Sequence, residues 1–415
     1  MSEPRRLRPV TRGLIGVTGA GWLGNVLSYL LVLAAARQLD AEGYAALVAL
    51  INLLLVGSVP SFALQAVGAR RVATGEERGL WQAGLLTGAG CCLLLVAVSP
   101  LLRSFLHLPL LGLLLVAVAL PATAIQGLCQ GVVQGEQRFT ALAMITFAGI
   151  VGKALAGLIG LLIFGTATAS IAAIAIGVTL AAAGSALVLP ELRQRAHGGR
   201  QLLLPLTGEA MHASHAYGIF LLLSVSDVLL ARHALPGRAA AVYAAGSILA
   251  KAALWLPQSV ANVLFASLVD TDRHHRVFAR AVAGIAGLAT AIALGCWLFG
   301  SIVATVVAGN RYPELGSEIW LFAALGGCLA ILQFTLVAGL AVRSHRVTVL
   351  IWLTVLAEVV GMFSLGSNPS VRSVITVMWL INLVSAAVAI GLRLRSDRRP
   401  QLAAISAAFP AANPE

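Results

Sequence analysis

Charged side chains are scarce in this chain, and that scarcity excludes a water-soluble globule. Only 11% of the 415 residues are charged and 59% are hydrophobic, so the polar surface is too small to cover a soluble domain. The mean hydropathy of +0.93 agrees. The chain is therefore predicted to be a membrane protein.

Several catalytic features are also missing. The five cysteines all fall in apolar runs, so no disulfide framework is expected. No GxxxxGK[ST] run occurs, which excludes a P-loop ATPase. The predicted outer loops are short and offer no paired acids except Asp40 and Glu42. We therefore expect no enzyme activity, no cofactor and no metal site.

What the chain does have is a series of long apolar runs. A run of about 20 residues crosses the hydrocarbon layer as a helix, because a helix satisfies its own backbone hydrogen bonds. Twelve spans are predicted, near 13–36, 44–67, 80–102, 108–129, 141–164, 168–189, 208–230, 241–265, 279–300, 317–341, 347–366 and 371–392. The predicted fold is an all-α polytopic membrane protein.

Arginine placement predicts the orientation. Arginines are concentrated in the N-tail, in the loops after even-numbered spans and in the C-tail, so the positive-inside rule places both termini in the cytoplasm. The net charge of +12 then marks the face that contacts anionic lipid headgroups, and no nucleic-acid partner is expected. The predicted parts are a cytoplasmic N-tail (1–12), an N-terminal six-helix bundle (13–190), a cytoplasmic loop (191–207), a C-terminal six-helix bundle (208–392) and a cytoplasmic Arg-rich, then disordered, tail (393–415).

The two bundles are linked by an internal repeat with an offset of 197 to 199 residues. The matched positions are Tyr44 with Tyr243, Asn52 with Lys251, Pro60 with Pro257, and Gln65 with Asn262. Six spans in each half is an even number, so the copies enter the membrane in the same direction. Such parallel repeats are typical of transporters that work by alternating access, with the substrate at the repeat interface.

Three segments carry a family resemblance: RQLDAEGY at 37–44, GVVQGEQRF at 131–139, and SDVLLAR at 226–232. They resemble the polysaccharide and oligosaccharide flippases, the Wzx-like O-antigen branch of the MOP superfamily that also holds MATE exporters and the lipid II flippase MurJ. The resemblance covers essentially the whole chain. It implies a MATE-like fold and movement of a lipid-linked saccharide.

Lysine is the rarest charge, and both lysines lie inside predicted spans. An ionisable residue at mid-membrane costs about 2.5–3.5 kcal/mol, so it is expected to face a bundle interior. Lys251 belongs to a polar stripe with helical spacing that also contains Tyr243, Ser247, Trp255, Gln258 and Asn262. Either this stripe lines a cavity, or Lys251 snorkels to an interface or pairs with Asp227 or Glu358.

Lys153 lies among small residues of the fifth span, where a neighbouring helix or a bulky ligand comes close. Asn25 and Asn52 are further cavity candidates. The predicted substrate-binding residues are Lys153, Lys251, Gln258, Asn262, Asn52, Ser247, Trp255 and Asn25. Lysine supplies a point charge for pyrophosphate, while amides, hydroxyls and indole rings suit sugars.

Acidic residues separate the two candidate functions. Spans 1–6 contain no Asp or Glu, which disfavours an organic-cation exporter of the MATE type. Asp227 forms either a gating ion pair with Arg232 or a plain interfacial pair. Glu358 either titrates and couples transport to an ion gradient or only neutralises a lysine. Arg37 and Arg232 are predicted to guard the outer mouth.

The resulting hypothesis is a flippase of the bacterial inner membrane. It would move undecaprenyl-pyrophosphate-linked oligosaccharide outward for polysaccharide biosynthesis, driven by a proton or sodium gradient or by the membrane potential. Membrane lipids are expected partners, as are the polymerase and glycosyltransferases of polysaccharide assembly. The alternative hypothesis is a MATE-type exporter of organic cations.

Overall fold

The structure is a computed structural model that describes residues 23–189 except 25 and 77, and then 200–265, 274–341 and 345–408. Side chains are described except in 200–214, 216–217, 255–265, 274–277, 340–341 and 395–408. The predicted site residue Asn25 lies outside the described residues.

The described chain is helical from end to end. The helices of the first half are α1 (Val26–Gln38), α2 (Ala41–Gly57), α3 (Val59–Ala73), α4 (Leu80–Leu106), α5 (Leu110–Gly135), α6 (Phe139–Phe164) and α7 (Ala167–Val188). Those of the second are α8 (Arg200–Ala234), α9 (Gly237–Phe265), α10 (His274–Leu298), α11 (Gly300–Ala308), α12 (Leu315–Ala341), α13 (Arg346–Ser364) and α14 (Val371–Ala408).

Each of the twelve predicted spans overlaps one of these helices, and within the described residues nine helical segments are long and apolar enough to cross a membrane. The predicted all-α, multi-pass membrane fold is confirmed. The structure adds the short helix α11, and it continues α14 as far as Ala408. It also divides the predicted span 44–67 at Ser58.

Proline explains the division at Ser58. Pro60 lies in the first turn of α3, where the missing N–H costs nothing because first-turn N–H groups have no acceptor within the helix. Inside one uninterrupted helix the same ring would clash with the preceding turn. Helices α2 and α3 therefore cross the membrane as one broken span, Ala41–Ala73.

By contact density the chain forms two compact units, Met1–Ala244 and Ala245–Glu415. The boundary lies within α9, some distance from the predicted loop 191–207. The division into two six-helix bundles stays a prediction. Two matched positions of the repeat are buried alike, since the side chains of Tyr44 and Tyr243 are both 0% exposed.

Small residues set the helix packing in the first unit. A Cβ on Gly127 would lie 2.2 Å from the carbonyl oxygen of Ser61, and one on Gly131 would lie 2.4 Å from that of Gln65. Helices α3 and α5 are thus in backbone contact along a row of glycines, the close approach that small residues allow in membranes. In the same way, a Cβ on Gly177 of α7 would lie 1.9 Å from the carbonyl oxygen of Gly152 in α6.

In the second unit α12 is the central helix. Of the residues in the most apolar stretch of its span Leu315–Gly339, 83% are buried. Gly326 faces the carbonyl oxygen of Ala250 in α9, and Gly327 faces Ala289 in α10. Large apolar side chains on the outer helices of this unit are instead exposed, for example Leu298 of α10 at 65% and Leu353 of α13 at 56%. That exposure is stable only in contact with lipid.

Candidate functional site

Lys153 points into the interior of the first unit. It is half-buried, whereas Met144, Leu155 and Leu162 of the same helix are 60%, 38% and 56% exposed. At about 100° per residue, those three side chains point roughly 180–200° away from Lys153. The lysine is therefore on the face opposite to lipid, as predicted for a charge within a membrane.

Glycines hold the neighbouring helices close to Lys153. A Cβ on Gly149 would lie 3.0 Å from the side-chain nitrogen of Gln126 in α5, and one on Gly157 would lie 3.0 Å from Leu31 in α1. Gly149 is one helical turn before Lys153, so both lie on the same face. Among the residues that the structure describes, no carboxylate or hydrogen-bond acceptor pairs with the Lys153 ammonium group.

A polar cluster that the sequence analysis missed lies beside this lysine. Gln126 is 8% exposed, donates from Nε2 to the carbonyl oxygen of Ile145 at 2.7 Å, and accepts from Ser185 Oγ at 3.2 Å. One turn further, Gln130 Nε2 donates to Thr146 Oγ1 at 3.3 Å. The detectable signal was the i, i+4 spacing of two glutamines inside an apolar span.

The polar stripe around Lys251 lies on one uninterrupted helix, α9. Lys251 is half-buried, and Ser247, one turn earlier, is 2% exposed. Of the other predicted members, the side chains of Trp255, Gln258 and Asn262 lie outside the described residues. Asn52 of α2 is 2% exposed within the first unit.

Arg232 is bound differently from the prediction. Its guanidinium pairs with both carboxylate oxygens of Glu42, and Nη1 lies 3.1 Å from Oε2. Its Nε donates to the carbonyl oxygen of Leu106 at 3.1 Å, and Nη2 donates to that of His107 at 2.9 Å. Asp227 is not among these described contacts, and residues five apart on a helix point about 140° away from each other.

These contacts join the start of α2, the end of α4 and the end of α8, and we call them the Arg232 latch. His233 extends the latch, since its ring stacks on Phe105 at 3.9 Å and its Nδ1 lies 2.7 Å from the Phe105 carbonyl oxygen. Asp227 accepts a hydrogen bond from the Tyr243 hydroxyl at 3.2 Å. Arg37, the other residue predicted to guard the outer mouth, is exposed.

In the second unit Glu358 is 1% exposed and lies in a polar seam between α13 and α14. It accepts a hydrogen bond from Asn382 Nδ2 at 2.7 Å, and the same amide group donates to the Met378 carbonyl oxygen at 2.9 Å. One turn away, Thr354 Oγ1 donates to Ser385 Oγ at 2.8 Å. The sequence pattern predicts Glu358 as a coupling residue but does not identify the residues that surround it.

A scan against protein-family models and a search of curated protein sequences each found no match. Solved structures do match. The lipid II flippase MurJ, in an inward closed conformation, aligns with a TM-score of 0.72 and 10% identity over 92% of this chain and 87% of that chain. An outward-facing MATE family multidrug transporter aligns with a TM-score of 0.61 and 12% identity over 94% and 97%.

This chain has the fold of the MurJ and MATE transporters. A MOP superfamily transporter from Pyrococcus furiosus agrees, with a TM-score of 0.58 and 15% identity over 95% of this chain and 96% of that chain. At identities this low the likeness establishes the fold alone. The function must be argued from the charges that the fold places inside the membrane.

Proposed function

We propose that the protein is a flippase that moves a lipid-linked oligosaccharide of the undecaprenyl-pyrophosphate type across the bacterial inner membrane by alternating access. The observation that carries this proposal is Lys153, a cation on the interior face of α6 that pairs with no acidic side chain in the described structure. The pyrophosphate of the substrate would supply the missing negative charge.

The energetics favour an anionic substrate. Holding a lysine at mid-membrane costs about 2.5–3.5 kcal/mol, and a phosphate oxygen bound to its ammonium group offsets part of that cost. The saccharide headgroup needs polar contacts because its hydroxyls cannot enter hydrocarbon unpaired. Gln126, Gln130 and Ser185 offer amide and hydroxyl groups within a turn or two of the lysine.

The second candidate is a MATE-type exporter of organic cations. The observation that favours it is Glu358, a buried carboxylate of the kind that binds a cation or a proton inside a membrane. In a flippase the same carboxylate would couple transport to a proton or sodium gradient. The sign of the interior charge in the first unit favours the flippase.

The proposal includes the cellular setting. The termini would be cytoplasmic, and the substrate would pass from membrane glycosyltransferases to a polymerase of the polysaccharide on the other side. The protein itself would carry out no bond-making chemistry.

The test uses purified full-length protein in liposomes that contain a fluorescent polyprenyl-pyrophosphate saccharide. Movement between leaflets is followed by the access of a membrane-impermeant quencher. Loss of one charged hydrogen bond, about 1.5–3 kcal/mol, predicts that Lys153→Ala slows movement about ten- to hundredfold. Lys153→Arg should retain part of the rate, because it keeps the charge.

The matched control is Leu155→Ala on the lipid-facing side of the same helix, which should move the substrate at the wild-type rate. Equal rates for Lys153→Ala and Leu155→Ala would remove the support for an anion site. Wild-type protein that ignores the saccharide lipid but exports an organic cation would replace the flippase with the second candidate.

A further inference from the structure

The second unit contains an apolar cavity of about 560 Å³ between helices α10, α12 and α14. Its floor is the contact of Gly327 with Ala289, where a Cβ on the glycine would lie 2.5 Å from the alanine Cβ. Apart from Thr290, Cys328 and the indole N–H groups, its lining is hydrocarbon. We call this cavity the tryptophan groove, after the three indole rings at one end.

All three rings lie at the same membrane end of the second unit. Trp297 is the penultimate residue of α10, while Trp320 and Trp379 lie near the starts of α12 and α14, which run in the opposite direction to α10. Trp320 and Trp379 meet edge to face at a centroid distance of 6.1 Å. Tryptophans at this depth are typical of the boundary between headgroups and hydrocarbon.

The groove extends from this boundary toward the middle of the membrane. Its lining on α10 runs from Trp297 to Ala286, which at 1.5 Å per residue is about 16 Å, or roughly half of the hydrocarbon thickness. Trp297, Leu294 and Leu383 are 64%, 54% and 42% exposed, so the lining is open to the membrane. A hydrocarbon chain of a lipid is therefore the occupant that its chemistry fits.

A positive charge stands at the tryptophan end of the groove. Arg372, two turns before Trp379, is 73% exposed, and its Nε is 3.8 Å from Oε2 of Glu318, two residues before Trp320. The carboxylate of Glu318 is only 14% exposed, but the 3.8 Å separation is too long for a hydrogen bond, so the exposed guanidinium keeps its N–H groups available to a phosphate. Arginine binds phosphate through two parallel N–H groups.

We infer that the tryptophan groove holds the polyprenyl chain of the transported lipid, with the lipid's phosphate next to Arg372. This inference rests on the proposed function, to which it adds a site for the tail. A polyprenyl carrier has one chain for each headgroup, as a single trough requires, whereas a phospholipid would leave its second chain outside. The phosphate would contact Arg372 and Lys153 at different steps of transport, while the tail stays in contact with the bilayer.

The test uses full-length protein in neutral phosphatidylcholine nanodiscs with a polyprenyl phosphate that carries a photoactivatable group in its chain. After illumination, mass spectrometry locates the labelled peptides, which are expected to come from α10, α12 and α14 around the groove. Ala293→Trp fills the groove and should lower labelling about tenfold. Ala291→Trp, the same change about 200° around the helix, should leave labelling unchanged.

A second variant tests the phosphate end of the groove and leaves the apolar lining unchanged. Arg372→Ala should lower labelling by the polyprenyl phosphate about fivefold and should not change labelling by the uncharged polyprenol. Three results would each overturn the inference. They are labelling that is spread evenly over the lipid-facing helices, equal labelling of Ala293→Trp and Ala291→Trp, and displacement of the probe by excess phospholipid as effective as displacement by excess unlabelled polyprenyl phosphate.

The outcome is separable from that of the proposed function, because labelling needs no saccharide and no transport. Lys153→Ala should slow movement of the saccharide lipid and leave groove labelling intact. Specific groove labelling in a protein that moves no saccharide lipid would refute the flippase and retain the tail site. Normal transport by Ala293→Trp with no loss of labelling would refute the tail site alone.

Discussion

The Arg232 latch predicts an unequal response to the removal of its two charges. Arg232→Met removes a side chain that is 4% exposed, while Glu42→Gln changes one that is 56% exposed. Besides the carboxylate, Arg232 binds the carbonyl oxygens of Leu106 and His107, which end α4 and have no other partner within that helix. The methionine variant therefore loses every contact, and the glutamine variant loses only the charge.

The magnitudes differ accordingly. Removal of the buried member of an ion pair typically lowers the free energy of unfolding by about 3–5 kcal/mol. We expect Arg232→Met to fall in this range, because it also leaves two carbonyl groups without a hydrogen-bond donor. The exposed carboxylate is screened by water, and a glutamine still accepts a hydrogen bond from the guanidinium, so Glu42→Gln should cost about 1 kcal/mol or less. The double variant should resemble Arg232→Met alone, since the two residues share one interaction.

The assay is thermal unfolding of the detergent-solubilised protein, followed for the four proteins of this double-mutant cycle at one detergent concentration. Limited proteolysis between α4 and α5 reports whether the end of α4 has loosened locally. Equal destabilisation by the two single variants, or a Tm for Arg232→Met that matches wild type, would refute the reasoning. Unequal loss with additive effects in the double variant would show that the carbonyl contacts, rather than the ion pair, stabilise this end of the unit.

Two further predictions concern packing and coupling. Gly127→Ala places a methyl group 2.2 Å from a backbone oxygen and should destabilise the folded protein by about 3 kcal/mol, whereas Gly90→Ala, with no atom within 4 Å, should leave the Tm unchanged. Glu358→Gln keeps an acceptor for Asn382 and should leave the Tm within a few degrees of wild type, yet it should abolish the acceleration of transport by an ion gradient. A normal Tm for the Gly127 variant, or gradient-driven transport by the Glu358 variant, would contradict these expectations.

Much of the fold was predictable because the composition of each segment decides whether that segment inserts into a membrane. A helix must cross about 30 Å of hydrocarbon and satisfy its own hydrogen bonds, so twelve apolar runs were enough to identify an all-α membrane protein. The division at Ser58 was less visible, because a proline inside an apolar run predicts either a bend or a new helix start.

The site was predictable only in part. Lys153, Lys251 and Glu358 stand out because a charge in an apolar run is costly wherever the helices pack. The sequence did not single out Gln126, because burying a neutral amide costs little free energy and such residues occur on many faces of a span. Its position near Lys153 depends on the approach of α5 to α6, which Gly149 permits but does not specify.

Local composition is enough to predict which segments cross the membrane and which charges are held inside it, because both follow from the free energy of transferring single side chains. The contact of Arg232 with Glu42, 190 residues away, and the groove that small residues of α10 and α12 leave beneath three tryptophans emerge only when the helices pack. In lipid, apolar side chains do not distinguish the inside of a bundle from its outside. Helix partners are therefore chosen by the fit of shapes over long sequence separations, and no local pattern encodes that fit.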